Sequence, residues 1–331
     1  MGSVSDLLPD RPRNWLATLR TRAAHELGRR LGALCRCTTL PVREGITRRL
    51  ISALSDRRIA SAFGRRFWLS FVRAVSLGLK RPVLVECSLE PGGLRLVLDV
   101  REKSQQGMAI HLRYEGFATR HLQSLLEPGD VAVDVGAHVG YFSLLASRLV
   151  GSTGRVVAFE PNPTNRAQLL RNIEINAASN VSVAPFALAD YNGTSILYLN
   201  PFNEGGGRLV PFERFPDGQL RWSREQASRL FRGQTLEVQV QVRRLHELMH
   251  LFAEGRRIAA VKIDVEGGEL AALRGMSEIL RRDRPALIVE IASASVGAVT
   301  GLLKSLGYTS GDRSGMDWVF LHSSHVPSMS R

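Results

Sequence analysis

From Val131 onward, short apolar runs of strand length alternate with longer segments whose apolar residues recur at helical spacing. The short runs predict strands at 131–135, 155–160, 181–186, 258–264 and 285–291. The longer segments predict helices near 140–149, 163–177, 243–253, 268–282 and 295–306. This alternation is typical of a parallel sheet with helices on both faces, so we predict a doubly wound α/β architecture.

The two ends of this pattern differ from its centre. Tyr308-Thr309 and Trp318–Leu321 flank a turn rich in Gly and Asp, which predicts a terminal β-hairpin with a reversed last strand. On the other side, residues 83–113 hold short apolar runs around Pro91-Gly92-Gly93, and these predict antiparallel strands, the last at 108–112. A helix is predicted at 116–126, before Pro128-Gly129.

Residues 1–84 are predicted to form a basic, arginine-rich helical extension before a main domain at 85–331. They hold 17 of the 44 Lys and Arg residues but only 5 of the 31 Asp and Glu residues, so most of the net charge of +13 lies there. One interpretation is a helical cap packed on the main domain, with arginines facing water. The other is a peripheral contact with anionic lipid or a partner protein, through Phe67, Trp68, Phe71 and Val72.

The composition is that of an ordinary globular protein, with 44% hydrophobic and 23% charged residues. No uninterrupted run of about 18 apolar residues occurs, so a membrane-spanning helix is not expected. The three cysteines are few and odd in number, which favours a reducing, cytoplasmic location over a disulfide framework. Cys35 and Cys37 have no second pair at a suitable spacing, so we predict no metal site.

The predicted helices and strands are interrupted at 200–234, a segment without strong periodicity that contains Asn203–Gly207, arginines and aromatic residues. An insertion of this length is either a lid or a surface loop. We favour a lid, because its arginines and aromatic rings could stack on and hydrogen-bond a sugar or an anionic acceptor.

The first predicted strand leads into a glycine loop. Val131–Val135 contains Asp134, and the loop that follows holds Gly136, His138 and Gly140 before the next helix. Glycines let the backbone pass close to a ligand at a helix N-terminus. About 20 residues after Gly140 the second strand ends in Glu160, an acid placed to accept hydrogen bonds from ribose hydroxyls.

Two cofactors are compatible with such a loop. A dinucleotide fingerprint needs a middle glycine to make room for the pyrophosphate, and His138 occupies that position here. S-adenosylmethionine has no pyrophosphate, and its cationic amino group would be favoured by Asp134. The reversed last strand is also typical of methyltransferase sheets. We therefore favour S-adenosylmethionine, with Asp190, after the third strand, placed to receive the adenine amino group.

These motifs together resemble the FkbM-type methyltransferases. The resemblance rests on Asp134–Gly140, Ala158–Pro163, Asn172 with Asn176, and Ala187–Asp190 with Gly193. It rests above all on Lys262–Gly267, followed by Glu269 and by Pro285 with Glu290. It implies a class I, Rossmann-like methyltransferase fold, S-adenosylmethionine as donor, and O-methylation of a hydroxyl on a sugar, glycolipid or polyketide-type acceptor. Tyr114-Glu115 matches a pair that often precedes the glycine loop in this family, so Glu115 is a candidate for closing over the donor.

Two positions depart from the family pattern. His138 stands where the family most often has Asn, at a position whose contacts are largely through the backbone. His246 stands where an Asp is common, and if this position contributes to the acceptor pocket, the histidine changes the character of that pocket.

Methyl transfer requires that donor and acceptor be held close together, and an alcohol acceptor also needs a base. Asp264 and Glu266 follow the fourth strand, near the switch point where ligands bind in such sheets. On a continuous strand, Lys262, Asp264 and Glu266 would point to one side. We predict Asp264 near the methyl group and Glu266 as base or acceptor anchor, and His246 is an alternative base. Alternatively, one of the two acids only caps the next helix.

Two other functions compete with this prediction. The basic N-terminal segment would suit a nucleic-acid methyltransferase, but it lacks the interleaved aromatic residues of a base-stacking surface, so no nucleic-acid partner is expected. A catalytically silent, cofactor-binding partner subunit is the non-enzymatic alternative, and the acids at Glu160, Asp264 and Glu266 count against it.

Overall fold

The computed structural model describes residues 82–200, 203–210, 236–252 and 255–325, which form two compact units. Within the described residues, the first unit comprises 82–87 and 98–112, and the second comprises 88–97 and 113–325. The predicted basic extension at 1–84 lies almost entirely outside the described residues, as does the part of the predicted lid after Val210.

The strands are β1 (Leu84–Leu89), β2 (Leu94–Asp99), β3 (Val131–Val135), β4 (Arg155–Phe159), β5 (Val181–Ala184), β6 (Phe186–Leu188), β7 (Gly193–Asn200), β8 (Asn203–Val210), β9 (Leu236–Arg243), β10 (Ile258–Ile263), β11 (Ala286–Glu290), β12 (Tyr308–Ser314) and β13 (Asp317–His322). The α-helices are α1 (Lys103–His111), α2 (Gly116–Leu125), α3 (Tyr141–Val150), α4 (Pro163–Ile175), α5 (Leu245–Phe252), α6 (Glu269–Gly275), α7 (Ser277–Arg282) and α8 (Val296–Ser305). None of these helices is long and apolar enough to cross a bilayer.

In the first unit, the predicted third strand at 108–112 is wrong, because these residues belong to α1 and its C-cap. The Glu102 carboxylate accepts hydrogen bonds from the backbone N–H groups of Ser104 and Gln105 and so caps the helix. The helix ends at Leu112, which adopts a left-handed conformation. The apolar run in this segment is the buried side of a helix, and a short apolar run does not distinguish a helix from a strand.

In the second unit, seven strands form the main sheet in the order β12-β13-β11-β10-β3-β4-β5. Neighbouring strands from β11 to β5 are parallel, whereas β13 runs antiparallel to both β11 and β12. The strand order reverses between β3 and β10, which creates a crevice at their carboxyl ends. This is the class I methyltransferase arrangement, so the predicted doubly wound sheet and its terminal hairpin are confirmed.

Helices cover both faces of this sheet. Alternate residues of β3 and β4, such as Val133 and Phe159, pack with residues of α5 to α8, including Leu273 and Leu303. On the opposite face, Ala158 packs against Leu169 of α4. Because successive strand residues point to opposite faces, strands buried on both sides are apolar throughout. The predicted helix at 268–282 is divided into α6 and α7 at Met276.

A second sheet with the order β6-β9-β7-β8 was not predicted. The strand predicted at 181–186 is divided between the two sheets. β5 belongs to the main sheet, whereas β6 pairs with β9 in the second sheet. Pro185 lies between β5 and β6, and its missing N–H interrupts the pairing of a continuous strand. Residues 203–210 of the predicted lid form β8, which pairs with β7.

Candidate active site

The glycine loop after β3 passes against the end of β10. Gly136 has a φ of +86°, and a Cβ atom at this position would overlap the carbonyl oxygen of Asp264. Gly140 has a φ of +94°, and a Cβ atom there would overlap the side chain of Leu169 on α4. Both positions therefore favour glycine for its conformation, and at Gly136 the overlap is with backbone atoms, so that position also requires glycine for space. The loop is fixed at the switch point where the sequence places a cofactor.

The loop amides are held by β4. The backbone N–H groups of Gly136 and Ala137 both donate to the carbonyl oxygen of Phe159, at 3.0 Å. The N–H of His138 donates to Oε2 of Glu160 at 2.7 Å. His138 has a φ of +52°, and its described role in the loop is through its backbone. These bonds hold the glycine loop and Glu160 in one arrangement.

Glu160 is a buried carboxylate at the carboxyl end of β4. Its Oε1 accepts from the N–H of Asn162 at 2.8 Å, and its side chain is 5% exposed. Burial raises the pKa of Glu160 to about 7, and the hydrogen bonds from Asn162 and His138 act in the opposite direction. Each carboxylate oxygen has a second lone pair, so Glu160 can still accept hydrogen bonds from a diol.

Asp134 lies on β3 beside Lys262 on β10, in register across the two strands. Its Oδ2 accepts a hydrogen bond of 2.5 Å from the hydroxyl of Ser143 on α3. Burial raises the pKa of Asp134 to about 6, while this hydrogen bond lowers it. Asp134 thus connects the strand before the loop to the helix after it.

Lys262 is the buried cation of the site, with only 2% of its side chain exposed. Its Nζ atom lies 3.4 Å from Oδ2 of Asp264 and 3.8 Å from Oε2 of Glu115. It also lies 5.0 Å from the ring centre of Phe142, a cation–π distance. Asp264 and Glu115 raise the pKa of Lys262 against the effect of burial, so the ammonium stays charged.

Three carboxylates lie close to one another in this part of the site, and two of them are the ion-pair partners of Lys262. Glu115, Asp264 and Glu290 each have an oxygen atom within 4.8 Å of the other two. Glu290 ends β11 and lies opposite Asp317 on β13. Burial raises the pKa of Glu115 to about 7 and that of Glu290 to about 8, and the nearby Asp264 adds to both shifts.

Those three residues are also the one group of acids, among the described residues, whose geometry could hold a metal ion. The ammonium of Lys262 already supplies positive charge to two of them.

Sequence reasoning placed Glu290 in a family motif but assigned it no role, and it did not identify Asp317. The position of Glu290 at the end of a predicted parallel strand was the available signal. No sequence signal pointed to Asp317, because its position beside Glu290 depends on the register of the terminal hairpin.

Lys262, Asp264 and Glu266 do not lie on one continuous strand, as the sequence analysis assumed. β10 ends at Ile263, and Glu266 lies in the following turn with a φ of +52°. The alternation rule therefore does not extend to Glu266. The turn is held instead by Glu269, whose carboxylate accepts from the N–H of Gly267 at 2.6 Å.

Asp190 follows β6, in the second sheet, and so does not end the main-sheet strand β5. Its carboxylate lies 4.0 Å from the guanidinium of Arg274, and its carbonyl oxygen accepts from Arg244. The predicted contact of Asp190 with adenine stays a prediction.

His246 lies on α5. Its Nδ1 atom is 3.3 Å from the carbonyl oxygen of Gly275, and its Nε2 atom is within 4 Å of Glu247 and Glu278. These contacts are with helices α5 to α7, whereas Asp264 and Glu290 lie at the ends of β10 and β11 and Glu115 immediately precedes α2.

Comparison with known proteins agrees with this geometry. The family described as "Methyltransferase FkbM domain" matches residues 134–310. Methyltransferase sdnD of Sordaria araneosa is 32% identical over 178 residues, which cover 50% of this chain and 68% of that protein. Methyltransferase 1 of Beauveria bassiana (strain ARSEF 2860) is 28% identical over 146 residues, covering 44% of this chain and 58% of that protein.

Among solved structures, the methyltransferase FkbM from Methylobacillus flagellatus KT matches with 17% identity and a TM-score of 0.40. The match covers 69% of this chain and 56% of that one. The family match extends from the acid before the glycine loop to the terminal hairpin, over more than half of the sequence. The chain belongs to the FkbM methyltransferase family.

Proposed function

We propose that this methyltransferase uses S-adenosylmethionine to O-methylate a hydroxyl of a sugar, glycolipid or polyketide-type acceptor. The observation that carries the proposal is the position of Asp264. Its backbone packs against Gly136 of the glycine loop, while its side chain lies beside Lys262 among the acids at the ends of β10 and β11. A donor site and a site with acid–base chemistry are thus adjacent.

The residues around the loop fit the donor. Gly136 leaves a space that a Cβ would fill, and Glu160 offers a buried carboxylate where a ribose would bind. We assign donor binding to Asp134, Gly136, His138, Gly140 and Glu160. Glu115 and Asp190 stay predicted contacts. When bound, S-adenosylmethionine supplies a methyl group activated by its sulfonium.

The acceptor side is acidic. Glu115, Asp264, Glu290 and Asp317 lie around a single buried ammonium in this part of the structure. The ammonium of Lys262 is already paired with Asp264 and Glu115, so it is not available to bind a phosphate close to the reacting atom. This arrangement supports a neutral hydroxyl acceptor over a nucleic acid. The carboxylates also provide bases for the proton that an alcohol must lose.

The test is incubation of the enzyme with methyl-labelled S-adenosylmethionine and an extract of the source organism, followed by identification of the labelled product. A labelled glycan, lipid or polyketide supports the proposal, whereas labelled RNA or the absence of transfer contradicts it. Asp264→Asn should abolish transfer and change donor affinity, measured by calorimetry, by no more than a few fold. Glu127→Gln, at an exposed position, is the matched control. Retained transfer by Asp264→Asn would remove Asp264 from the mechanism.

The same assay decides the two other sequence-predicted bases. Glu266→Gln and His246→Ala should each lose transfer by about 100-fold or more if the residue removes the acceptor proton.

A further inference from the structure

We propose that Glu290 is the general base that removes the proton of the acceptor hydroxyl. This inference rests on the proposed function and adds to it a catalytic role for a residue to which the sequence analysis assigned none. It follows from the position of Glu290 and from the unequal distribution of charge around it.

Glu290 lies at the place where an acceptor would meet the donor. It is the last residue of β11, which runs parallel to β10, so its carboxylate emerges at the same edge of the sheet as Asp264. An oxygen of Glu290 lies within 4.8 Å of oxygens of Asp264 and Glu115. The carboxyl edge at the strand-order reversal is where such sheets bind their ligands.

The three carboxylates differ in their contact with the ammonium. Lys262 lies within 4.0 Å of Asp264 and Glu115, and in the part of the chain described here it forms no such pair with Glu290. An adjacent ammonium stabilises the ionised carboxylate and so makes it a weaker base. Lys262 therefore balances part of the negative charge of Asp264 and Glu115, whereas Glu290 has no such ion pair within the described residues.

The surroundings of Glu290 have the opposite effect. The charged groups that face it are Asp264 and Lys262 on β10, Glu115 before α2, and Asp317 on β13. Burial and the three acids raise the pKa of Glu290 to about 8, and Lys262 opposes them only in part. A base whose pKa lies near the working pH combines a sufficient ionised fraction with a sufficient affinity for the proton.

In the proposed step, the acceptor oxygen forms a bond to the donor methyl carbon as the carbon–sulfur bond breaks. The bonding electron pair stays on sulfur, which becomes a neutral thioether. The hydroxyl proton moves to the Glu290 carboxylate, which becomes a carboxylic acid and later releases the proton to water. Asp264 and Glu115 remain next to the Lys262 ammonium during this transfer, and Glu290 is the carboxylate that takes the proton.

The test compares Glu290→Gln with the wild type and with Glu127→Gln, using labelled S-adenosylmethionine and the extract fraction that the wild type labels. We expect Glu290→Gln to lower the transfer rate by about 10²–10⁴-fold. The wild-type rate should rise with pH, reach half its maximum near pH 8 and level off above that, because the base must be ionised, and the variant should lose this rise. Donor affinity by calorimetry and the unfolding midpoint should stay close to the wild-type values. Glu290→Asp should recover part of the rate.

A second measurement needs no acceptor. In protein labelled with ¹³C at glutamate carboxyl groups, the resonance missing from Glu290→Gln should titrate near pH 8, and Asp264→Asn should lower that midpoint. Titration near the ordinary glutamate value of about 4.3 would overturn the assignment.

Other outcomes separate this inference from the proposed function. If the wild type transfers label and Glu290→Gln keeps the rate and its pH dependence, the base assignment is wrong and the proposed function stands. If wild-type activity is lost in EDTA and restored by Mg²⁺, Glu290 is a metal ligand and the assignment is also wrong. If the wild type labels no acceptor, both the proposed function and this inference fail.

Discussion

Gly136→Ala perturbs the contact that places the glycine loop against β10. Gly136 has a φ of +86°, and a Cβ added there would lie 2.9 Å from the carbonyl carbon of Asp264 and closer still to its oxygen. Both atoms belong to the backbone, so no side-chain rotation relieves the overlap. The loop and the end of β10 must move apart.

The expected cost has two parts. A left-handed conformation costs a residue with a Cβ about 1–2 kcal/mol. Relieving an overlap inside a packed region costs about 1–3 kcal/mol more. We therefore expect Gly136→Ala to lower the free energy of unfolding by about 2–5 kcal/mol. Gly315→Ala measures the conformational cost alone. Gly315 has a φ of +63°, and nothing lies within 4 Å of a Cβ added there.

Urea denaturation measures both variants. With a slope of about 2 kcal/mol/M, Gly136→Ala should lower the midpoint by about 1–2.5 M, and Gly315→Ala by no more than about 1 M. Calorimetry should also show weaker binding of S-adenosylmethionine to Gly136→Ala, by about 10-fold or more, and unchanged binding to Gly315→Ala. Equal destabilisation of the two variants, with equal donor affinity, would refute the close contact between the loop and β10.

Two further predictions concern the buried polar groups that support the loop. The pKa of Asp134 is about 6 in the folded protein, above the ordinary aspartate value of about 3.9, so its contribution to stability falls as the pH rises from about 4 to about 6. Above pH 6 Asp134 is ionised, and the Ser143 hydroxyl donates to a charged oxygen. Removing the hydroxyl of Ser143 should therefore cost more at pH 8, about 1.5–3 kcal/mol, than at pH 5. Ser147→Ala, whose hydroxyl donates to a neutral amide, should cost the same at both pH values, and a pH-independent loss for Ser143→Ala would contradict this account. Asn172→Ala should lower the free energy of unfolding by about 2–4 kcal/mol in urea denaturation, because the buried amide accepts from the N–H of Val97 and donates to the carbonyl of Val139. A loss under 1 kcal/mol would mean that water replaces these bonds.

Much of the main sheet could be predicted from the sequence. The sequence located β3, β4, β5, β10, β11 and the terminal hairpin to within a few residues, because apolar runs separated by helical segments are a strong local pattern. The second sheet was missed. Its strand β8 begins in a glycine-rich segment that has little strand propensity of its own. The α1 segment was misassigned because its short apolar run fits a strand as well as a helix.

The glycine loop and the group of acids around Lys262 differ in how far the sequence determined them. The glycine loop, Asp134 and Glu160 follow one another along the chain, so their spacing alone indicated a cofactor site. The acids around Lys262 come from β10, β11, β13 and the segment before α2, which are distant in sequence. Their proximity depends on strand order and register, and these are fixed by long-range packing that no local pattern contains. For this reason the sequence determined the family and the glycine loop, whereas only the tertiary structure brought Glu290 beside Asp264 and left it outside the ion pairs of Lys262.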